Sequence, residues 1–138
     1  MTAIKQAVVK NTRAFREETK GAATVTTVGN LMDLTSGLAV DATSASTTST
    51  LVGICSEAWA AADASTQVLI RKLSKGDTYV VDSTNNSNAT HNGQLMIIGA
   101  TAHTINNTGT TDANGVCKQV GVYGATTDKK IIVEFLVN

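Results

Sequence analysis

The residues able to do chemistry are few and scattered. The two histidines, His91 and His103, both lie in polar, glycine-adjacent stretches, where an exposed or turn histidine is the ordinary reading. His103 can be drawn with Asp112 and one of the many serines as a nucleophilic triad. Such a triad is defined by geometry, however, and a chain this rich in Ser and Thr permits many such drawings. A Gly-x-Ser-x-Gly elbow, a phosphate-cradling Walker loop, a Gly-x-Gly-x-x-Gly turn and a His-Glu-x-x-His zinc pattern are all missing from the sequence. The aspartates (Asp33, Asp41, Asp63, Asp77, Asp82, Asp112, Asp128) are spread out, without the spacing of a calcium-binding loop. Asp112-Ala113-Asn114-Gly115 places oxygen ligands beside a glycine, but Asp, Asn and Gly are turn formers in their own right. The sequence therefore nominates no catalytic residue, no cofactor-binding residue and no metal site.

Two features point to contact rather than catalysis. Trp59 is the single tryptophan, set in the small-residue stretch Glu57-Ala58-Trp59-Ala60-Ala61-Ala62. It reads either as a lid over one end of a β-structure or as an interface anchor, a role in which tryptophan is enriched. The first twenty residues carry Lys5, Lys10, Arg13, Arg16, Glu17, Glu18 and Lys20, a mixed-sign cluster around a lone Phe15. That cluster reads either as a solvated terminus or as an arm that orders on a partner surface. Cys55 and Cys117 form neither a Cys-x-x-Cys pair nor a disulfide framework. Two buried thiols are the primary expectation, with a bridge between them as the alternative.

The elements that must position these residues are strands. The chain has 138 residues, with eleven basic and eleven acidic side chains, 16% charged residues, 4% aromatics and no proline. That balance gives no electrostatic footprint for nucleic acid and no polybasic membrane patch. The apolar runs are too short to span a bilayer as helices, and the N-terminus lacks a signal-peptide pattern, so synthesis in a cytoplasm is expected. Three Asn-x-Ser/Thr sequons, at Asn85, Asn88 and Asn106, carry little weight in so Asn- and Thr-rich a chain.

Thr24–Val28, Gln67–Leu73, Thr78–Val81, Gln94–Ile98, Lys118–Tyr123 and Lys130–Val137 have the β-branched, alternating or short apolar character of strands. Ser74-Lys75-Gly76-Asp77 is a turn signal, from which a hairpin between its flanking strands is expected. Polar stretches at 41–50 and 106–115 read as surface loops, and Asn11–Thr19 and Glu57–Ala64 as at most short turns or helices.

Three blocks recur in order: Gly29–Leu34 with Gly93–Ile98, Leu51–Ile54 with Gln119–Val122, and Val68–Ile70 with Ile131–Val133. The expectation is an all-β domain, a small barrel or sandwich of two pseudo-repeated units (about 29–73 and 93–136) within residues 21–138, preceded by an arm at 1–20. Gly53 and Gly121, inside strand patterns, are expected to mark bulges or close backbone approaches.

The texture of Gly29-Asn30-Leu31-Met32-Asp33-Leu34, Leu51-Val52-Gly53-Ile54-Cys55-Ser56-Glu57 and Gln67-Val68-Leu69-Ile70, echoed from Gly93 to Val133, resembles the small head-decoration (cement) proteins of tailed bacteriophages. The resemblance spans roughly residues 21–137 and carries no diagnostic motif. It implies a virion structural protein, not an enzyme, bound to the major capsid protein on the capsid exterior. It also implies a homo-oligomer, with a trimer favoured, and neither cofactor, nucleic acid nor membrane as partner. By the same analogy Arg13, Phe15, Arg16, Glu17 and Glu18 would contact the capsid, and Trp59 would anchor an interface. The alternatives are another virion β-domain, such as a tail or fibre component, and a soluble ligand-binding β module.

Overall fold

The computed structural model describes residues 15–20, 26–62 and 67–136. These residues are almost wholly β, and the chain divides into two compact units, Met1–Asp41 with Val52–Lys72 and Ala42–Leu51 with Leu73–Asn138. The first five strands are β1 (Phe15–Thr19), β2 (Leu31–Thr35), β3 (Leu38–Asp41), β4 (Leu51–Cys55) and β5 (Gln67–Lys72), arranged as one sheet in the order β1-β5-β4-β2-β3. The next five are β6 (Thr78–Ser83), β7 (Leu95–Ile98), β8 (Thr104–Asn106), β9 (Cys117–Val122) and β10 (Lys130–Phe135), which close into a barrel in the order β10-β6-β8-β7-β9. Single turns of 3₁₀ helix occur at Ala89–His91 and Thr126–Asp128.

The strand assignments follow from side-chain alternation. Along β10, Ile131, Val133 and Phe135 are fully buried while Lys130, Ile132 and Glu134 are half-buried, the two-residue period of a strand with one face on a core. β4 alternates in the same way, with Leu51, Gly53 and Cys55 buried. The core of the first sheet gathers Met32, Ala39, Cys55, Val68 and Ile70.

One topology is used twice. β1 pairs antiparallel with β5 from Phe15↔Arg71 to Thr19↔Gln67, and β6 pairs antiparallel with β10 from Thr78↔Glu134 to Asp82↔Lys130. A shift of 63 residues (Phe15 to Thr78, Arg71 to Glu134) converts the first register into the second at every pair. The β2–β3 hairpin, with Leu34↔Ala39, answers to β7–β8, with Ile98↔Ile105. The parallel contact closing the barrel, Ser83↔Ile105, has its counterpart in the parallel bridge Lys20↔Ala39. Even the entry turns match. Asn30 N–H donates to Thr27 O at 3.1 Å and Gln94 N–H to His91 O at 3.0 Å, each turn passing through a left-handed glycine, Gly29 (φ 94) and Gly93 (φ 89).

Several expectations are revised by this register. The segment assigned to an arm includes a strand from Phe15, because the backbone of Phe15–Thr19 completes the β5 ladder. The same strand replaces the helix considered over Asn11–Thr19, whose first four residues lie outside the described residues. The 74–77 turn forms, with Asp77 N–H donating to Ser74 O at 3.1 Å, but the strands it joins do not pair. β5 finds its partners in β1 and β4, and β6 in β10 and β8, so each strand stays within its own copy of the topology.

The middle block of the repeat also shifts. Gly53 lies opposite Lys72, and the equivalent partner of Phe135 is Cys117, so Gly53 corresponds to Cys117 rather than to Gly121. Gly121 stands four residues past that position, beside a register shift between Ile132 and Val133 that inserts an extra residue into β9.

The loops are less uniformly exposed than their composition implies. Ala42 and Ser46 are buried in the first, and Asn107 and Gly115 in the second. Asn107 pins its neighbours by accepting from Asn85 N–H at 2.8 Å and donating to Asn85 O and Asn86 O at 3.1 and 3.2 Å.

Candidate functional site

The residues nominated from sequence do not gather at one place that the structure describes. Arg13 lies outside the described residues. Phe15, Arg16 and Glu17 are placed by their backbone in β1, and Glu18 is half-buried opposite Val68. Trp59 sits after the end of β4 and forms an isolated bridge with Thr26. Its backbone N–H donates to Thr26 Oγ1 at 2.7 Å, while Thr26 Oγ1–H donates to Glu57 O at 2.8 Å. The ring is half-buried and packs against the core of the first sheet, the position of a lid.

Glu57, which the sequence did not single out, explains how β4 ends. The β4–β5 ladder runs to Cys55↔Ile70, and Ser56 N–H then donates to Leu69 O at 2.9 Å. Glu57 Oε1 accepts from Leu69 N–H at 2.7 Å, a carboxylate taking the place of a strand carbonyl.

The chemically able side chains of the barrel unit are structural in their contacts. Asp112 Oδ1 accepts from Asn114 N–H at 2.9 Å, and Gly115 N–H donates to Asp112 O at 3.0 Å, the hydrogen bonding of a plain turn. His103 is exposed, and His91 lies against Gly109 so closely that a Cβ there would stand 2.8 Å from Nε2. Gln119 points into the barrel, fully buried, and donates to Asn88 O and Asn92 Oδ1, both at 2.9 Å. It ties β9 to the 3₁₀ turn at Ala89–His91. Among the described residues no group of three or more His, Cys, Asp or Glu side chains is arranged to hold a metal ion, and no helix is long and apolar enough to cross a membrane.

Both cysteines are buried and free. Burial pushes the Cys117 thiol up to about 12 and raises Cys55 as well, opposed there by a hydrogen bond to Glu57 O at 3.0 Å. Neither thiol has the lowered pKa of a reactive nucleophile.

What the sequence did not reveal is a wall on the outside of the barrel. Ile132 on β10 lies opposite Val80 on β6 and Gly121 on β9, and all three face away from the buried side chains of their strands. Val80 is 50% exposed and Val120, at the bulge, 39%, with Tyr123 extending the apolar surface just past β9, whereas Val122 lies opposite the buried Ile131 and faces the other side. Because Gly121 has no side chain, Ile132 Cδ1 lies 3.4 Å from where a Cβ would be.

Two polar rows flank this apolar centre. On one side Glu134 lies between Lys118 and Thr78. On the other, Lys130 Nζ pairs with Asp82 Oδ1 at 2.6 Å, and Tyr123 N–H donates to Lys130 O at 3.2 Å. The hydrogen bond and charge of Asp82 raise the Lys130 pKa above the usual lysine value. The three strands are not consecutive in the chain, so no window of sequence displays this surface.

No protein-family profile matches the chain, and no curated protein matches its sequence.

Proposed function

We propose that this chain is a virion structural protein that binds the outer surface of a phage capsid and stabilises the shell, as a head-decoration or cement protein. The observation carrying the proposal is the apolar wall of Val80, Ile132, Val120 and Tyr123 on the outside of the β-barrel. Exposed apolar patches rimmed by polar residues are the surfaces through which proteins assemble. The low charge, the Thr-, Ser- and Asn-rich surface and the family resemblance support the same reading. In this proposal the wall serves assembly, and the segment from Arg13 to Glu18 supplies the contact to the shell protein. The work is mechanical: contact area added on the outside of a shell raises the barrier to its rupture.

The reading is tested by adding the purified chain to particles from its source that lack it. Co-sedimentation with the particles and a higher temperature of DNA release are expected. A chain that stays in the supernatant and leaves the release temperature unchanged overturns it.

A further inference from the structure

The outer wall of the barrel has a specific order of charge. Along β10 the outward positions read Lys130, Ile132, Glu134: a cation, an apolar centre, an anion. Across the strands, the row through Glu134 runs Thr78, Glu134, Lys118, and the row through Lys130 runs Asp82, Lys130, Tyr123. Lys130 and Glu134 are four residues apart on one strand, roughly 13 Å, with Ile132 midway.

These positions allow two face-to-face pairings of the wall with itself to be compared. With the strands of the two copies running in the same direction, Glu134 meets Glu134 and Lys130 meets Lys130. Both contacts are repulsive. With the strands running in opposite directions about a two-fold axis at Ile132, each Glu134 meets a Lys130 and each Lys118 meets a Tyr123. The isoleucines and the Val80 side chains then close on one another in the centre. Only the second arrangement is self-complementary, as an isologous contact must be. It also places a lysine over an aromatic ring at each end.

We propose that the β6–β10–β9 wall binds the same wall of a second copy of this chain, antiparallel and two-fold, with Ile132 at the axis and Lys130 of each copy against Glu134 of the other. The pairing rests on the reading of the wall as an assembly surface, and it names the occupant of that surface. Val80, Val120 and Tyr123, exposed by 39 to 52%, with the half-buried Ile132 make a small patch beside the ~1,600 Å² of a stable complex, so the dimer dissociates on dilution. On a particle, where copies are held close together, a weak contact of this kind is strengthened by effective concentration.

The test is sedimentation equilibrium of the purified full-length chain over a range of concentrations, with no particle present. The native chain is expected to move from monomer to dimer as its concentration rises. Glu134→Lys, which opposes like charges at both ends of the contact, is expected to weaken dimerisation by about tenfold or more. Lys130→Glu is expected to do the same. An equimolar mixture of the two variants restores the dimer, because each lysine pair of one chain then meets the glutamate pair of the other. Ile132→Thr, which keeps the β-branched shape and removes apolar surface, also weakens it. Far-UV circular dichroism of each variant establishes that the barrel is intact.

A native chain that is monomeric at every concentration overturns the proposal, as it would if the shell or the N-terminal segment were the occupant. A trimer, the state the resemblance implies, that is insensitive to these substitutions overturns it too. So does a mixture of variants that fails to recover. None of these results bears on whether the chain binds particles, which is read separately.

Discussion

Gly53 and Gly121 occupy similar stretches of sequence, and both have ordinary backbone angles, so alanine at either site is limited only by space. The space differs sharply. A Cβ on Gly53 would lie 2.2 Å from the carbonyl oxygen of Arg71 and 2.5 Å from Ile70 Cγ2, whereas one on Gly121 would lie 3.4 Å from the flexible tip of Ile132. For Gly53→Ala the nearest obstacle is backbone of the paired strand, which would have to retreat by roughly 1 Å to reach even a tight contact. That retreat opens the pairs Gly53↔Lys72 and Ile54↔Arg71. Overpacking costs about 1–3 kcal/mol, and a weakened ladder hydrogen bond about 1 kcal/mol more. The lower unfolded-state entropy of alanine returns about 0.4–1 kcal/mol. The net loss for Gly53→Ala is therefore about 1–3.5 kcal/mol, and the change for Gly121→Ala lies within about 0.5 kcal/mol of zero or is slightly stabilising.

Urea denaturation of dilute protein reads both substitutions. Fluorescence of Trp59, the only tryptophan, reports the first sheet, and far-UV circular dichroism reports both units. A Gly53→Ala midpoint equal to that of the native protein would refute the reasoning, as would an equal loss from Gly121→Ala.

Three further outcomes follow from the same contacts. Burial raises the folded pKa of Cys117 to about 12 from 9.0, so the thiol contributes stability that is fully present below pH 9 and is lost between pH 9 and 12 as only the unfolded chain ionises. Stability should fall by about 1.4 kcal/mol per pH unit from this group in that window, and Cys117→Ala should flatten the slope measured by denaturant titration. At pH 8 a thiol reagent should label neither cysteine in the native protein and both after unfolding, and rapid native labelling would contradict the burial of both residues. Glu57→Ala leaves the Leu69 N–H without its carboxylate, at a cost of about 1–3 kcal/mol in thermal or urea melts. Glu57→Gln should lose less, because an amide oxygen still accepts.

The strands with one buried face were legible because their composition is a local signal. In the sequence β5, β7 and β10 were read from short apolar runs, the alternation of burial along β4, β7 and β10 appears only in the fold, and the alternating Thr24–Val28 supplies just the isolated bridge at Thr26 among its described residues. β1 was not legible: Phe-Arg-Glu-Glu-Thr has the composition of a solvated segment, and it becomes a strand because β5 offers it a ladder. The parallel contact that closes the barrel, Ser83↔Ile105, joins residues far apart in the chain and leaves no mark on either segment.

Matching Gly53 to Gly121 failed because local likeness does not fix register: their spacing of 68 residues departs from the 63 to 64 of the flanking blocks, and the position equivalent to Gly53 is Cys117, four residues earlier. The β5–β6 hairpin failed because a correct turn signal says nothing about which sheet each flanking strand joins. Trp59 was singled out by its type, and its packing on the first core follows from the Thr26 bridge, which sequence alone does not pair with it. The wall escaped because it is assembled from β6, β9 and β10, with the bulge setting Val120 outward.

The proposed function makes this protein a many-copy component on the outside of a virion shell. Quantitative mass spectrometry of purified particles from its source, measured against the major shell protein, tests that claim most directly. The account predicts a copy number of the same order as the shell subunit. A chain missing from the particles, or present in only a handful of copies, would contradict it.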